Sequence, residues 1–437
     1  MLTSHSDGLS APPAVTDLGA TGEMMLRFRS VLGAGAPIIV LLLAACSGSD
    51  PTPTIQVSTS TPTPTGSALD GDPSGSGPGS LGLQWEIEEV DAGGKPALAL
   101  DSQGVPFIAY MEEAQSGFVK VAVRQASGWE IETIANGYFY GPLDIAIGND
   151  DAAHVAYHDH QAAAFDPDLG DAVYAVRAEG GWSAAPVRDQ GHDGWDNRIT
   201  TGADGRPHMA AVDPVEFGGQ GVEYYSLDAD GNWQVEDIGS GPQTYQFGVS
   251  VAVAPDGAPY ITYYSQQERD LAIAVRTDTG WDIEFVERDG DVGLFSELLI
   301  DKTGRFHVSY LLRTGSSSGI VRYATRASAD DPWTISDIAE LDAIVIGQVG
   351  ARNITSVAVD SRGTPWVAYS DTAELHVARL DGGKWRTQRV ARSGDQPLGQ
   401  LVSLGIDGDD ALHIAYFEGR SPGPIGTVQY AKGTPAL

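Results

Sequence analysis

Short runs of alternating apolar and polar residues recur along most of the chain with a period of about fifty residues. Each period holds a β-rich run such as GAPYITY at Gly257 or GTPWVAY at Gly363, then a second run, a glycine turn and a tryptophan that opens a third run. An inner run such as VSVAVAPD precedes them. Alternation over about four to eight residues is typical of β-strands, so each period predicts four strands.

The repeat predicts an all-β fold, a seven-bladed β-propeller with four strands in each blade. The run from Trp85 to Val90 matches the fourth strand of a unit, whereas the last unit stops after its third strand, Thr427 to Lys432. We therefore expect the N-terminal strand to complete the last blade and to remove an open sheet edge. The last strand of each unit opens at Trp85, Trp129, Trp182, Trp233, Trp281, Trp333 or Trp385. We expect these tryptophans to fill the gaps between blades.

The segment 24–46 has the pattern of an export signal, with two arginines, a short apolar run and small residues before Cys46. Its ending, Leu43-Ala44-Ala45-Cys46, resembles the lipobox of bacterial lipoproteins. That resemblance implies cleavage and lipidation at Cys46, which is the single cysteine of the chain, so no disulfide is expected. An ordinary membrane anchor or a buried cysteine is the alternative. Residues 1–23 are too long and too acidic for the start of a signal, so we predict that they are an untranslated upstream extension.

Two further features bear on the domain organisation and the partners. Residues 47–80 are rich in Pro, Thr, Ser and Gly and have too little apolar content to bury a core, which predicts a disordered tether before a propeller spanning 81–437. The formal net charge of -33 disfavours nucleic acid as a partner. The predicted partners are the membrane, through the lipid anchor, and a glycan or protein ligand. The predicted location is the extracytoplasmic cell envelope, at the outer membrane or cell surface.

Two sets of polar residues follow the repeat and are interpreted as structural. Four histidines share a position that aromatic residues occupy in other units, which favours a packing slot over a metal site: His154, His208, His307 and His413. Four aspartates precede a Gly or Asp by three residues, which favours Asx turns over calcium loops: Asp101, Asp301, Asp360 and Asp407.

The units resemble repeats of secreted bacterial propellers of the sialidase-like type, known as BNR or Asp-box proteins, and of bacterial lectin propellers. The nearest match to the Asp-box, S-x-D-x-G-x-T-W, is the segment from Ser226 to Trp233, in which the Gly is displaced by one and Asn232 replaces the Thr. The box is a fold element in that family, so the resemblance implies architecture and not hydrolysis. Sialidases also use three arginines, but no local motif assigns Arg198, Arg313 or Arg352 to that role.

A functional site should break the repeat, because a site on the propeller axis is used once. Blade two departs most, in the loop after its second strand and in its exit loop. Three other histidines lie in these loops, and imidazole with carboxylate suits zinc, whereas carboxylates alone suit calcium. A solvated polar loop is the alternative. The candidate ligands for a divalent metal are His158, Asp159, His160 and Asp193.

The same face is expected to collect aromatic residues from loops between blades and carboxylates from the ends of second strands. Aromatic rings beside carboxylates suit sugars, whose C–H faces stack while their hydroxyls donate to carboxylates. The alternative is that these aromatics cap the apolar ends of strands. The candidate ligand-binding residues are Tyr138, Tyr140, Trp195, Asp196, Tyr245, Asp213, Asp371 and Glu418.

The sequence thus predicts a tethered propeller that acts as a recognition or scaffold module for a glycan or protein ligand. The sequence shows no recognisable arrangement of a nucleophile with a general base, so no catalytic residue is predicted. The alternative function is a glycan-active hydrolase or lyase that uses axial carboxylates.

Overall fold

The computed structural model of the protein describes residues 81–112, 117–160, 170–188, 194–213, 221–239, 248–344, 354–394, 398–419 and 426–435. The signal segment, Cys46 and the tether lie outside these residues. The described chain forms seven four-stranded antiparallel sheets, which confirms the predicted seven-bladed, all-β propeller. In this part of the chain no helix is long and apolar enough to cross a membrane.

The strands follow the chain blade by blade, after an N-terminal strand β1 (Leu83–Ala92). Blade one contains β2 (Gly94–Leu100), β3 (Pro106–Met111), β4 (Gly117–Gln125) and β5 (Gly128–Gly137). Blade two contains β6 (Phe139–Ile147), β7 (Ala153–Asp159), β8 (Asp171–Ala178) and β9 (Gly181–Pro186). Blade three contains β10 (Trp195–Thr201), β11 (Pro207–Asp213), β12 (Gly221–Leu227) and β13 (Trp233–Gly239).

The remaining blades have the same order of strands. Blade four contains β14 (Val249–Val253), β15 (Pro259–Ser265), β16 (Asp270–Thr277) and β17 (Gly280–Glu287). Blade five contains β18 (Asp291–Ile300), β19 (Phe306–Arg313), β20 (Gly319–Arg326) and β21 (Thr334–Leu341). Blade six contains β22 (Thr355–Val359), β23 (Pro365–Ser370), β24 (Glu374–Asp381) and β25 (Lys384–Arg392). Blade seven contains β26 (Leu398–Ile406), β27 (Leu412–Gly419) and β28 (Gly426–Pro435), and β1 is its fourth strand.

The two ends of the propeller are joined by strand pairing. β1 runs antiparallel to β28, with Leu83 opposite Pro435 and Ala92 opposite Thr427, which confirms the predicted closure. The backbone N–H of Leu83 also donates to the Gln388 side chain of blade six at 3.1 Å, and the Gln388 amide donates back to the Leu83 carbonyl at 2.7 Å. The N-terminal strand therefore completes blade seven and contacts blade six.

The core lies between the blades, because each sheet is covered by a neighbour on both faces. Every residue of β3 and of β23 is buried, whereas the outer strand β9 is largely exposed. One apolar cluster combines Ala109 and Val121 of blade one with Val155 and Ala175 of blade two. The predicted apolar inner strands therefore serve packing between sheets.

Three repeat tryptophans are held between blades by an acidic residue three positions after the tryptophan of the preceding unit. The Trp182 indole N–H donates to Glu132 at 2.8 Å, and Arg177 pairs with the other carboxylate oxygen of Glu132. Glu88 takes the same place against Trp129 at 3.2 Å, as does Glu236 against Trp281 at 3.1 Å. The glutamate of the motif W-x-[IV]-E therefore joins one blade to the next at these three places.

The four repeat histidines are buried or nearly so and bond to tyrosines on the third strand of the same blade. In blade seven, His413 Nε2 lies 3.0 Å from Asp407 Oδ2. A carboxylate only accepts, so Nε2 donates, and Nδ1 of the neutral ring accepts from the Tyr430 hydroxyl at 2.7 Å. The slot is structural, since Trp366 fills it in blade six and donates its indole N–H to Asp360 at 3.3 Å.

These histidines predict a loss of stability in mild acid. Burial lowers the pKa of His154, His208, His307 and His413, because the charged ring is poorly solvated. Their contribution to the free energy of unfolding is complete above the unfolded pKa of about 6.5 and is lost as the pH falls toward the lower folded values.

The histidine contribution can be isolated with His413→Phe, because Phe107 occupies the same slot in blade one. Urea denaturation of the wild type and of this variant at pH 7.5 and 5.5 is expected to show a smaller acid-induced loss of stability in the variant. An equal loss in both proteins would contradict the assignment of the pH dependence to this slot.

The predicted Asx turns are present between first and second strands. Asp301 Oδ1 accepts the N–H groups of Thr303 at 2.8 Å and Arg305 at 3.1 Å. Asp101, Asp360 and Asp407 make the same pair of contacts. In the Asp-box-like segment, Asp228 Oδ1 accepts from the N–H groups of Asp230 and Asn232 at 2.9 Å, between β12 and β13. The box is a turn element, as the resemblance implied.

Candidate functional site

The end of the propeller where second strands finish and first strands begin is here called the loop face. Five acidic residues lie there at equivalent positions near the end of a second strand: Glu112, Asp159, Asp213, Asp371 and Glu418. They are therefore one repeat position, with one carboxylate in each of five blades. Glu112 pairs with Lys120 at 2.8 Å, and Asp371 Oδ1 accepts the N–H groups of Ala373 and Glu374, both at 2.7 Å.

The blade-two residues form a buried ring cluster. His158 and His160 have no exposed surface, and Trp195 is 1% exposed. The His158 ring centroid lies 4.6 Å from that of Trp195 and 5.9 Å from that of His160. Trp195 is therefore enclosed by protein and does not present a ring face to solvent, which corresponds to the predicted alternative of an aromatic that caps strand ends.

The structure brings two of the candidate metal ligands, His158 and His160, into one cluster. Within the described ranges, no three His, Cys, Asp or Glu side chains gather as a metal ion requires. Asp193 lies outside the described residues, so the four-residue metal centre remains a prediction.

The other candidate ligand-binding residues are placed separately. Tyr138 is half-buried, and its carbonyl accepts the His160 N–H at 2.7 Å. Asp196 has no exposed surface and has a left-handed backbone conformation, with φ of 57°. Tyr140 lies in β6. Tyr245 lies outside the described residues.

Sequence reasoning missed a ring of residues around the propeller axis. In each first strand one residue holds the same register position, and where it is a carboxylate or a serine it accepts a backbone N–H from the following blade. Asp144 accepts from Ile199 at 3.0 Å, and Ser250 accepts from Leu298 at 3.0 Å. The ring consists of Ala97, Asp144, Arg198, Ser250, Glu297, Ser356 and Ser403.

Three members of this ring are ionisable and interact within the channel. Burial raises the pKa of Glu297 to about 7, although Arg198 opposes the shift and Asp144 adds to it. Burial likewise raises the pKa of Asp144 against the attraction of Arg198. The Glu297 carboxylate accepts from the Ser356 hydroxyl at 3.1 Å, and the Arg198 Nε–H donates to the Val249 carbonyl at 3.1 Å. The cluster thus links blades two to six.

An open pocket of about 590 Å³ lies on the loop face between blades four and five. It is formed by the β15–β16 loop, the start of β18 and the β19–β20 loop. Hereafter it is called the arginine pocket. Its lining residues are Tyr264, Gln266, Arg269, Asp291, Arg313, Thr314, Gly315 and Ser316.

Asp291 organises the polar wall of the arginine pocket. Its Oδ1 accepts the Tyr264 hydroxyl at 2.7 Å, and its Oδ2 accepts from Arg313 Nε at 2.7 Å and from Arg269. Asp291 is 6% exposed, whereas the Arg269 side chain is 61% exposed. One buried carboxylate therefore positions two guanidinium groups at the rim of a cavity.

The pKa values of Asp291 and Tyr264 are shifted in opposite directions, away from neutral pH. Burial acts to raise the pKa of Asp291, but the hydrogen bonds from Arg269, Arg313 and Tyr264 outweigh it and lower that pKa. Burial and the bond to Asp291 raise the pKa of Tyr264 to about 12. At pH 7 the wall therefore carries a fixed carboxylate, a neutral phenol and two charged arginines.

The arginine pocket was not predicted from the sequence. Of the three arginines considered as a triad, Arg313 lines it, Arg198 lies in the axial ring, and Arg352 lies outside the described residues. The sequence does show an arginine beside a strand end in two consecutive units, Arg269 and Arg313. Whether these two side chains meet depends on how the neighbouring blades pack, which the sequence does not show.

Comparisons with known proteins support the fold. No protein-family model matches the chain, and no curated protein sequence matches it. A solved ulvan lyase of a polysaccharide lyase family, bound to -[GlcA(1-4)Rha3S]-, is 14% identical, with a TM-score of 0.51 over 77% of this chain and 94% of that chain. A Hadza microbial sialidase is 11% identical, with a TM-score of 0.41 over 79% of this chain and 66% of that one. An arginine mutant of AofleA from Arthrobotrys oligospora is 13% identical, with a TM-score of 0.46 over 71% and 91%. These identities show a shared propeller fold alone.

Proposed function

We propose that the protein is a carbohydrate-recognition propeller of the cell envelope and that the arginine pocket is its binding site. The observation that supports this most is the pocket itself, whose volume of about 590 Å³ lies within the range of small-ligand sites. Guanidinium donors, the Gln266 amide and the hydroxyls of Thr314 and Ser316 line it. Such a set suits a ligand with many hydroxyl groups.

The protonation states favour binding over catalysis. An efficient general acid or base has a pKa near the working pH, and a phenol nucleophile needs a lowered one. Asp291 is held ionised and Tyr264 is held neutral, so neither exchanges a proton readily at pH 7. Recognition without bond cleavage is the function that this wall supports.

Glycan cleavage is the second candidate, and one observation favours it. The pKa of Glu297 is about 7, as acid and base catalysis requires. Its carboxylate is, however, bonded to Ser356 and enclosed in the axial ring. We therefore place recognition first.

The tether completes the proposal. Lipidation at Cys46 would anchor the chain to the membrane, and the segment 47–80 would hold the propeller away from it, at the outer membrane or cell surface. Binding at a membrane surface would allow several copies to engage one polysaccharide, which raises the apparent affinity.

The site is tested with a bulky substitution at its edge. The full chain, purified in detergent, is screened against immobilised neutral and acidic oligosaccharides. Ser316→Trp fills the arginine pocket from an exposed position and is expected to abolish saturable binding, a loss of at least about tenfold in affinity.

The matched control is Ser317→Trp. Ser317 is also exposed and lies in the same loop, but it does not line the pocket. This variant is expected to bind like the wild type. Binding that survives in Ser316→Trp, or that is lost equally in both variants, would rule out the pocket as the site.

A further inference from the structure

We propose that the arginine pocket selects saccharides that carry an anionic group, either a uronate carboxylate or a sulfate ester, through Arg269 and Arg313. The inference rests on the proposed function and adds the chemical class of the ligand. The pocket lies between blades four and five, away from the axial ring.

The charge of the pocket is opposite to that of the protein. Its lining includes two arginines and one aspartate, which sum to a formal charge of +1, whereas the whole chain carries -33. A local positive site on an acidic protein concentrates anions at that place while repelling them elsewhere. An anionic ligand would therefore be directed to this pocket.

Two of the three nearby carboxylates are paired with other arginines, and all three lie outside the pocket lining. Glu287 accepts from Tyr310 and Arg322 on the blade-five side. Asp270 lies 3.5 Å from Arg288, and Glu268 accepts the Ser265 hydroxyl. None of these carboxylates lines the pocket.

Arg269 is placed to receive an anion. A guanidinium has five N–H donors in one plane and binds carboxylate or sulfate oxygens in pairs. Asp291 fixes the orientation of the Arg269 side chain, which is 61% exposed. The Arg269 backbone is left-handed, with φ of 66°, a conformation that an L-residue adopts at a cost.

Gln266 supplies the complementary acceptor. Its side-chain oxygen is buried, and no donor in the described part of the chain reaches it. A buried acceptor without a donor costs free energy, which a ligand hydroxyl would recover. An anionic group on Arg269 and Arg313, with a hydroxyl on Gln266, describes an acidic sugar better than a free inorganic anion.

The test compares disaccharides that differ at a single substituent, which is either neutral or anionic. Calorimetric titrations of the full chain in detergent use a glucuronate-terminated disaccharide, its neutral glucose counterpart and the 3-sulfated form of the neutral disaccharide. We expect at least one acidic form to bind about tenfold or more tightly than the neutral form, since charge-assisted bonds exceed neutral ones. The uronate and sulfate arms identify which anion is taken.

Two arginine-to-glutamine variants, one inside the pocket and one outside it, show where the preference for acidic saccharides arises. Arg269→Gln is expected to remove the acidic preference, and Arg269→Lys to retain part of it because the charge remains without the planar donor pair. Arg386→Gln is the matched control, since Arg386 is 54% exposed and pairs with Asp381 within blade six, away from the pocket. It is expected to keep the preference within about twofold. Thermal melting confirms that each variant is folded.

The outcomes separate the two proposals. Equal affinity for acidic and neutral saccharides would overturn the anionic class while leaving carbohydrate recognition in place. An unchanged preference in Arg269→Gln, or its loss in Arg386→Gln as well, would also overturn it. Failure of every saccharide to bind would overturn the proposed function and this inference together.

Discussion

Removal of residues 83–92 is expected to prevent folding of the propeller. Without β1, blade seven keeps three strands, β28 exposes an unpaired edge, and Leu83 no longer bonds to Gln388 of blade six. The Trp85 ring, which packs against Gly433, is lost as well. The truncated chain should lack a cooperative thermal transition by circular dichroism.

A rearranged chain provides the control for this deletion. Leu83 lies opposite Pro435, so the ten residues of β1 can be attached after Pro435 through a short glycine-containing turn and pair as a hairpin. This version should regain the transition. A deletion that melts like the wild type, or a transfer that fails to rescue, would show that closure by β1 does not hold the propeller together.

Replacement of Glu297 by Gln is expected to change how stability depends on pH. The folded pKa of about 7 lies above the unfolded value of 4.5, so the folded protein binds the extra proton between these values. The Glu297 contribution is complete below about pH 4.5 and is lost as the pH rises through 7. A change in pKa from 4.5 to about 7 corresponds to at most about 3 kcal/mol of stability. Glu297 is only half-buried, so solvent reduces the effect below this limit.

The variant retains the acceptor oxygen for Ser356 but carries no charge to be buried beside Asp144. Its free energy of unfolding relative to the wild type should therefore increase between pH 4.5 and pH 7, while the histidine effects common to both proteins cancel. Glu340→Gln, at an exposed position, is the control for the change of net charge. A difference between Glu297→Gln and the wild type that stays constant with pH would refute the assignment.

The repeat made the architecture predictable in detail. Strand count, blade number, closure by the N-terminal strand and the Asx turns follow from local patterns that recur in every unit, and the structure confirms them. The motif W-x-[IV]-E is visible in the sequence too, but its structural role is not. Glu132 contacts Trp182 of the following blade and not Trp129 of its own motif.

The site was less predictable because its parts come from different units. Trp195 was selected for breaking the repeat, yet it is a core side chain. Asp144 and Glu297 stand in apolar strands, and a polar residue in such a strand was a signal that could have identified the axial ring. Arg269 and Arg313 carry no local motif that joins them.

The propeller could be predicted from the sequence, because strand periodicity, turn chemistry and tryptophan spacing are local properties repeated along the chain. The sequence also provides the predictions of a signal segment, lipidation at Cys46 and a tether. The side chains that share a pocket, and those that share the axial ring, became known only from the folded chain. The Asp291 contacts and the pKa of Glu297 depend on the packing of one blade against another, and no single unit contains that information.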